Sequence, residues 1–339
     1  ADPLEVVRRG DLKLLRELPL PWETSGGGSA LVLQLSGGGV PAGALVLLRG
    51  PERAGFGATD SELAHRFAAR AGLALATAAL YSQQAHTIAV LQESLRPGPL
   101  PVADGLRLGA AYRPAAEALR LSGDFYHVAR HPEEGVTFFF GDVCGKGAEA
   151  AVSAGRVRQS LRMLELTALD PLRELEVLNE AMLDDEYRFT TLLTGSARPL
   201  PGGGAIVETA GGGHLPPLVL RGDGRVEEVT FGGTVVGAVP DPSFGRAEFR
   251  LEPGEAVLLH SDGVTEARGG PTGDEMYGEE RLAGALASCL GMPAGSVAER
   301  LELLTTQWLA GRPHDDIAVL VLQAPPLRSG ARQERSVSR

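Results

Sequence analysis

The 339-residue chain carries 43 acidic side chains against 32 basic ones, a formal net charge of -11, and 43% of its residues are hydrophobic. That is an ordinary globular balance, long enough for two domains and too acidic for general nucleic-acid binding, which needs a basic surface. No run of about 18 apolar residues is available to span a membrane, and two cysteines, Cys144 and Cys289, are too few for a disulfide framework or a zinc site, so a reducing cytoplasm is the expected compartment.

The opening ADPLEVVRRG has no signal-like character and no initiator Met, as expected of a piece of something longer. Residues 30–49, ALVLQLSGGGVPAGALVLLR, predict two apolar strands joined by a Gly/Pro-rich turn. From Thr59 the pattern turns helical, with Asp60 or Ser61 as the N-cap, and runs to Pro97 as one long helix or two abutting ones. Leu80, Thr87, Ile88, Leu91 and Leu95 fall near one stripe, which suits either a partner helix or the helix's own domain. The prolines of RPGPLP, residues 96–101, end the helix and mark a domain boundary.

Beyond it, residues 104–325 suit one domain in which short apolar strands alternate with a few helices. Strands are predicted at 106–112, 136–140, 192–197, 205–208, 218–220, 256–260 and 317–322, and helices at 148–166, 172–183, 278–290 and 294–309. In the first of these helices Ala151, Ala154, Val157, Leu161 and Leu164 are spaced for one buried face. The tail, 326–339, is polar and arginine-bearing, and is expected to be disordered.

The stretch FFFGDVCGKGAEAA, from Phe138, has the look of a nucleotide-binding loop. A Walker loop places four residues between its first glycine and Gly-Lys-Ser/Thr. Here only Asp142, Val143 and Cys144 separate Gly141 from Gly145-Lys146, and Gly147 stands where a hydroxyl belongs. An acid at the end of an apolar run points to a cation before a phosphate.

Four sites repeat that pattern: Asp124 in LSGDFYHV, Asp142 in FFFGDVCGKG, Asp262 in VLLHSDGVTEA, and Asp315 with Asp316 in PHDDIAVLVL. Strands this apolar are normally buried, so their acids are drawn toward a low-dielectric region, where gathered carboxylates repel one another unless a divalent cation compensates them. Oxygen donors without a His/Cys cluster favour Mg²⁺ or Mn²⁺ over zinc. Gly123, Gly141, Gly145, Gly147 and Gly263 accompany the acids and permit close backbone approach. Any one of these acids alone reads as a turn or cap residue; four at strand ends are harder to explain that way.

Taken in order, LQESLRPGPLP, SGDFYHV, GDVCGKGAEAA, FTTLL, AGGGHLPPLVL, GGTVVGAVPDPSF, LLHSDGVTEAR and HDDIAVLVL resemble the bacterial metal-dependent serine/threonine phosphatases of type 2C, in the branch of the stage II sporulation and sigma-factor-regulating phosphatases. The resemblance implies an α+β fold, a four-layer αββα sandwich of two antiparallel β-sheets with metals at one edge. It implies two ions, Mn²⁺ or Mg²⁺: Asp142 bridging them, the Val143 backbone carbonyl and Asp124 on one, Asp262 and Asp315 on the other, and Asp316 orienting its neighbours. It further implies in-line attack on phosphoserine or phosphothreonine by a metal-bridging hydroxide. The helix after the GDVCGKG loop corresponds to a switch element in that family, which implies conditional activity; simple core packing reads the same residues equally well.

The chain departs from that pattern where His127 replaces the acid of Gly-Asp-Phe-Tyr-Asp, with a weaker auxiliary metal site or a changed pH profile as the expected consequence. Extra glycines in AGGGHLPP are expected to displace the loop before His214, and no catalytic role is assigned to His214, His260 or His314. The segment GALVLLRGPERAGFGATDSELAHRFAARAGLALATAALY resembles the second half of a GAF sensor domain, whose small-molecule pocket is expected to be incomplete here. The expected organisation is a partial GAF-like α/β sensor over 1–80, a helical linker over 81–103 that pairs with its copy in a homodimer, and a phosphatase domain over 104–325. The expected function is dephosphorylation of a regulatory protein, such as an anti-sigma-factor antagonist, under control of a small-molecule or protein signal at the GAF-like part. The competing class is a catalytically silent signalling or scaffold module that binds a phosphoprotein; a nucleotide hydrolase is disfavoured by the failed Walker spacing.

Overall fold

The computed structural model describes residues 29–37, 40–95, 97–114, 123–131, 135–145, 148–167, 169–183 and 189–327. Lys146, Gly147, residues 1–28 and most of the expected disordered tail lie outside them, as do the side chains of Ile88, Leu91 and Leu95 in the predicted stripe. The chain divides into two compact units, Ala1–Ala89 and Val90–Arg339.

In the first unit β1 (Ser29–Gly37) and β2 (Val40–Arg49) form the predicted antiparallel hairpin. α1 (Ala58–Leu95) is one continuous helix of 38 residues, which settles the choice between one helix and two. Leu33 of the hairpin buries together with Ala64 and Ala68 of α1. Gly72 lets the backbones approach, since a Cβ there would meet the Ser36 backbone nitrogen and oxygen at 2.5 Å. Asp60 is not the N-cap but sits in the first turn, where its carboxylate accepts from the Gly57 N–H at 3.0 Å and pairs with Arg49 at 2.9 Å.

The second unit runs β3 (Arg107–Arg113), β4 (Asp124–His131), β5 (Gly135–Val143), α2 (Ala148–Leu164) with a 3-10 turn (Glu165–Thr167), α3 (Pro171–Met182), β6 (Thr190–Pro199), β7 (Ala205–Gly212), β8 (Leu218–Leu220), β9 (Val226–Glu228), β10 (Gly245–Leu251) and β11 (Ala256–His260). It continues through a short α4 (Asp262–Thr265), β12 (Arg268–Gly269), β13 (Glu275–Met276), α5 (Gly278–Ala287), α6 (Ala294–Leu309) and β14 (Ile317–Gln323). Two five-stranded antiparallel sheets result, ordered β10-β7-β6-β5-β4 and β3-β14-β11-β8-β9.

Side-chain alternation stacks these sheets. In β14 all seven residues are buried, as in a strand covered on both faces. Ala318, Leu320 and Leu322 meet Phe138, Phe140, Leu193 and Val207 of the other sheet, while Ile317, Val319 and Val321 turn outward to Leu282 and Leu286 of α5 and Val297 and Leu301 of α6. Phe125 and Phe139 point out of the first sheet onto Val157 and Leu161 of α2 and Leu175 and Leu178 of α3. Helix, sheet, sheet and helix therefore form the four expected layers. Each fully buried Phe or Leu here contributes roughly 1.5–3 kcal/mol by leaving water.

Every predicted strand of this unit is present, and the predicted buried stripe of α2 packs as expected. α3 starts where Asp170 caps it, accepting from the Leu172 and Arg173 N–H groups at 3.1 and 3.4 Å, with Pro171 at the first helical position. No helix among the described residues is long and apolar enough to cross a membrane.

Candidate metal centre

The predicted acids come from both sheets. Asp124 begins β4 and Asp142 lies near the end of β5, directly opposite each other in the antiparallel register. Two carboxylates facing each other across a strand pair repel. In the second sheet His260 pairs with Val319, so the turn after β11 and the entry into β14 leave the same end, carrying Asp262 and the Asp315-Asp316 pair.

Ser261, buried and unmarked in the sequence reading, ties these turns together. Its N–H donates to the Ala318 carbonyl at 3.0 Å, and its hydroxyl accepts from the Ala318 N–H at 3.1 Å. The same hydroxyl is 3.3 Å from the Asp316 carbonyl and hydrogen-bonds the Asp124 carboxyl, linking the two sheets at the site. Its position just before Asp262, at the start of α4, was the only signal in the chain. Thr190 is a second such residue: its hydroxyl donates to the Asp142 carbonyl at 2.7 Å and fixes the end of β5.

Backbone is tightly gathered around these acids. A Cβ on Gly123 would collide with the Asp142 carboxylate and stand 2.5 Å from the Val143 carbonyl oxygen, and one on Gly263 would run into the Asp316 carbonyl. Glycine is required at both places by close approach.

The electrostatics follow from this crowding. Asp124 and Asp316 are each 7% exposed, whereas Asp262 and Asp315 reach solvent. Burial first, and then the Asp142, Asp316 and Asp262 charges, hold the Asp124 carboxyl well above the usual carboxylate range. Burial also pushes Asp142 up to about 7, helped by Asp262, Asp315 and Asp316. The other predicted acids thus all act on Asp124, on Asp142 or on both. Asp316, like Asp262, presses on both Asp124 and Asp142.

Among the described residues no group of three or more His, Cys, Asp or Glu side chains is arranged so that it could hold a metal ion as it stands. The donor set nevertheless fits divalent cations. It is all oxygen, its mutual repulsion is what a dication relieves, and the Gly123 cradle leaves the Asp142 carboxylate and Val143 carbonyl side by side.

His127 does not join this group. Asp124 and Tyr126 face the interior of the sandwich, but the next side chain faces the helices, with its ring 5.1 Å from Phe139 and its Nε2 3.6 Å from Glu165. Period-two alternation turns it to the opposite face of β4 from Asp124. Burial, then the Arg162 and Arg158 charges, lower it to about 4. His214 is held by Thr191, Oγ1 to Nδ1 at 2.8 Å, and burial lowers it to about 3; burial likewise lowers His260 to about 4. The half-buried His314 has its Nδ1 2.6 Å from the Asp315 carbonyl.

Comparison with known proteins agrees with this architecture. The family model for stage II sporulation protein E (SpoIIE) matches residues 132–325. The phosphoserine phosphatase RsbU of Bacillus subtilis is 28% identical over 181 residues, 52% of this chain and 52% of RsbU. Protein IcfG of Synechocystis sp. is 28% identical over 221 residues, 57% of this chain and 34% of IcfG. The chain therefore spans about a third to a half of the length of these curated relatives. Among solved structures, the RsbU and RsbW domains of Rv1364c from Mycobacterium tuberculosis superpose with a TM-score of 0.58 at 26% identity, over 67% of this chain and 62% of that one. With more than half of its length matched and two antiparallel sheets between helical layers, the chain belongs to the stage II sporulation protein E family and has the type 2C phosphatase fold.

Proposed function

We propose that the chain is a metal-dependent protein phosphatase acting on phosphoserine or phosphothreonine of a regulatory protein, an anti-sigma-factor antagonist or similar. The observation that carries this reading is the convergence of Asp124, Asp142, Asp262, Asp315 and Asp316 at one edge of both sheets, with Asp142 pushed up to about 7. RsbU, named as a phosphoserine phosphatase, supports the substrate class.

In this reading Asp142, Asp124, the Val143 carbonyl, Asp262 and Asp315 are the groups that would hold the cations, Mn²⁺ or Mg²⁺, two ions being expected. When bound, the cations neutralise charge on phosphoryl oxygens and activate water. The chain's own contribution is placement. Ser261 locks the turn bearing Asp262 to the strand entry bearing Asp316, Thr190 fixes the Asp142 backbone, and Gly123 and Gly263 keep the cradle open. Asp316 adds negative potential behind the ligands, raising the affinity of the edge for dications.

The same reading takes residues 1–80 as a partial GAF-like sensor, 81–103 as a helical linker, 104–325 as the phosphatase and 326–339 as a tail, working in the cytoplasm. Leu63, Phe67, Leu73, Leu80 and Tyr81 of α1 are exposed, which supports homodimerisation through that helix.

The deciding experiment is hydrolysis of p-nitrophenyl phosphate and of a phosphoserine-bearing protein with Mn²⁺, with Mg²⁺ and with chelator, for wild type and Asp142→Ala. Metal-dependent turnover that falls in the variant by more than the roughly 100-fold typical of losing a group behind a metal ligand supports the phosphatase. Cation binding without turnover of either substrate would instead favour the silent binding module.

A further inference from the structure

A cavity of about 240 Å³ opens between the β8–β9–β11 end of the second sheet and the start of α5. It is smaller than the ~300–1,000 Å³ of a ligand or cofactor pocket, so it suits one long side chain. Its wall is apolar, from Leu218, Val226 and Leu282, and Glu228, Glu279 and Glu280 also line it.

Two acids in the first turn of a helix would be explained by the helix dipole alone. That does not account for Glu228, which comes from β9 and faces the same cavity. Nor does it account for His260, 4% exposed, which also lines the cavity. Its Nδ1 is 3.3 Å from the Ser261 carbonyl, and the ring makes no other hydrogen bond to the protein among the described residues. With Nδ1–H donating to that carbonyl, Nε2 carries the lone pair and can only accept. The glutamates form no ion pair among the described residues. The nearest cation on α5, Arg281, is engaged elsewhere, over the Trp308 ring and with the Glu275 carboxylate and the Met276 and Tyr277 carbonyls. The polar side chains of the cavity are thus acceptors alone, around an apolar sleeve.

We propose that this cavity is a specificity subsite that takes an arginine side chain of the protein substrate. The methylene stem would lie along Leu218, Val226 and Leu282, and the planar guanidinium would offer its fork of donors to the glutamates and to His260 Nε2. His260 lies two residues before Asp262, at most ~7 Å along an extended chain, so the arginine falls within a few residues of a phosphorylated residue at the acid edge. The assignment of the partner as substrate rests on the phosphatase reading; the chemistry of the cavity does not.

The test is fluorescence anisotropy with labelled phosphoserine peptides that carry arginine at successive offsets from the phosphoserine, each compared with its citrulline counterpart, which keeps the shape and removes the charge. At one offset the arginine peptide is expected to bind about tenfold tighter to wild type. In Glu279→Gln/Glu280→Gln the preference should shrink below about threefold, and Glu228→Gln, on a separate strand, should reduce it independently. Equal binding of all pairs by wild type, or a preference untouched in both variants, overturns the subsite. Turnover of p-nitrophenyl phosphate is measured alongside and should be unchanged in these variants. Turnover without arginine preference removes the subsite and leaves the phosphatase; arginine preference without turnover does the reverse.

Discussion

Asp142 sits in surroundings that oppose the charge it would carry at neutral pH. Its carboxyl is raised from an ordinary 3.8 to about 7 by burial and by three other acids. Between those values the folded chain holds a proton that the unfolded chain has lost, so this contribution to stability is complete below pH 3.8 and is lost as pH rises through about 7. A dication that binds only the folded edge reverses the deficit, by about 2.7 kcal/mol at a hundredfold excess over Kd. At pH 7.5 in chelator, Asp142→Asn is therefore expected to melt higher than wild type. Added Mn²⁺ should raise the wild-type Tm by roughly 5–10 °C and leave the variant nearly unchanged. Calorimetry decides: a variant that gains as much from Mn²⁺ as wild type does would show that Asp142 is not a ligand.

At the scale of the element, the last turn before the acid pair carries a local conflict. α6 ends on Ala310 at φ 49° and ψ 39°, left-handed geometry that costs an alanine about 1 kcal/mol or more, and Gly311 follows at φ 81°. Ala310→Gly should raise stability by about 0.5–1 kcal/mol in a denaturant midpoint, with no change in metal response. A drop in stability would mean that the alanine methyl contributes more than the strain it causes. Elements of this unit were legible where one physical signal dominated. The strands Ala256–His260 and Ile317–Gln323 are apolar at every position or nearly so, and α6 has an unbroken amphipathic period. β4 was missed because DFYHVARH mixes an acid, two histidines and an arginine into a strand buried mainly at its first half. β10, GRAEFRL, is an edge strand whose first six residues alternate between partial burial and exposure, with only Leu251 buried, and so lacks an apolar run. The acids of the site were legible because each adjoins a buried strand. The facing of Asp124 and Asp142, the clasp at Ser261 and the turning away of His127 were not, because register and facing belong to pairing, which no single segment specifies.

Over the whole molecule, two sets of buried titratable groups pull stability in opposite directions with pH. Asp124, Asp142 and Glu165 are raised, chiefly by burial, and favour the fold as pH falls. His127, His214 and His260 are lowered to about 4, 3 and 4, again chiefly by burial, and oppose it. For each histidine the unfolded chain takes up a proton near pH 6.5 that the folded chain refuses until about pH 4 or below, so its contribution falls as pH drops through that window. The three rings are spread through the sandwich: His127 against Phe139 on the helix-facing side of the first sheet, His214 against Phe140, and His260 in the second sheet. Acid therefore loads both sheets at once. A variant comparison isolates one ring from the opposing carboxylates. His127→Phe keeps an aromatic contact with Phe139 and removes the titration, so in chelator wild type should lose stability relative to the variant between pH 7.5 and pH 4.5. Urea midpoints of the two proteins measured across that range report the difference directly, and a gap that stays constant with pH would show that the folded chain does not hold the His127 ring neutral.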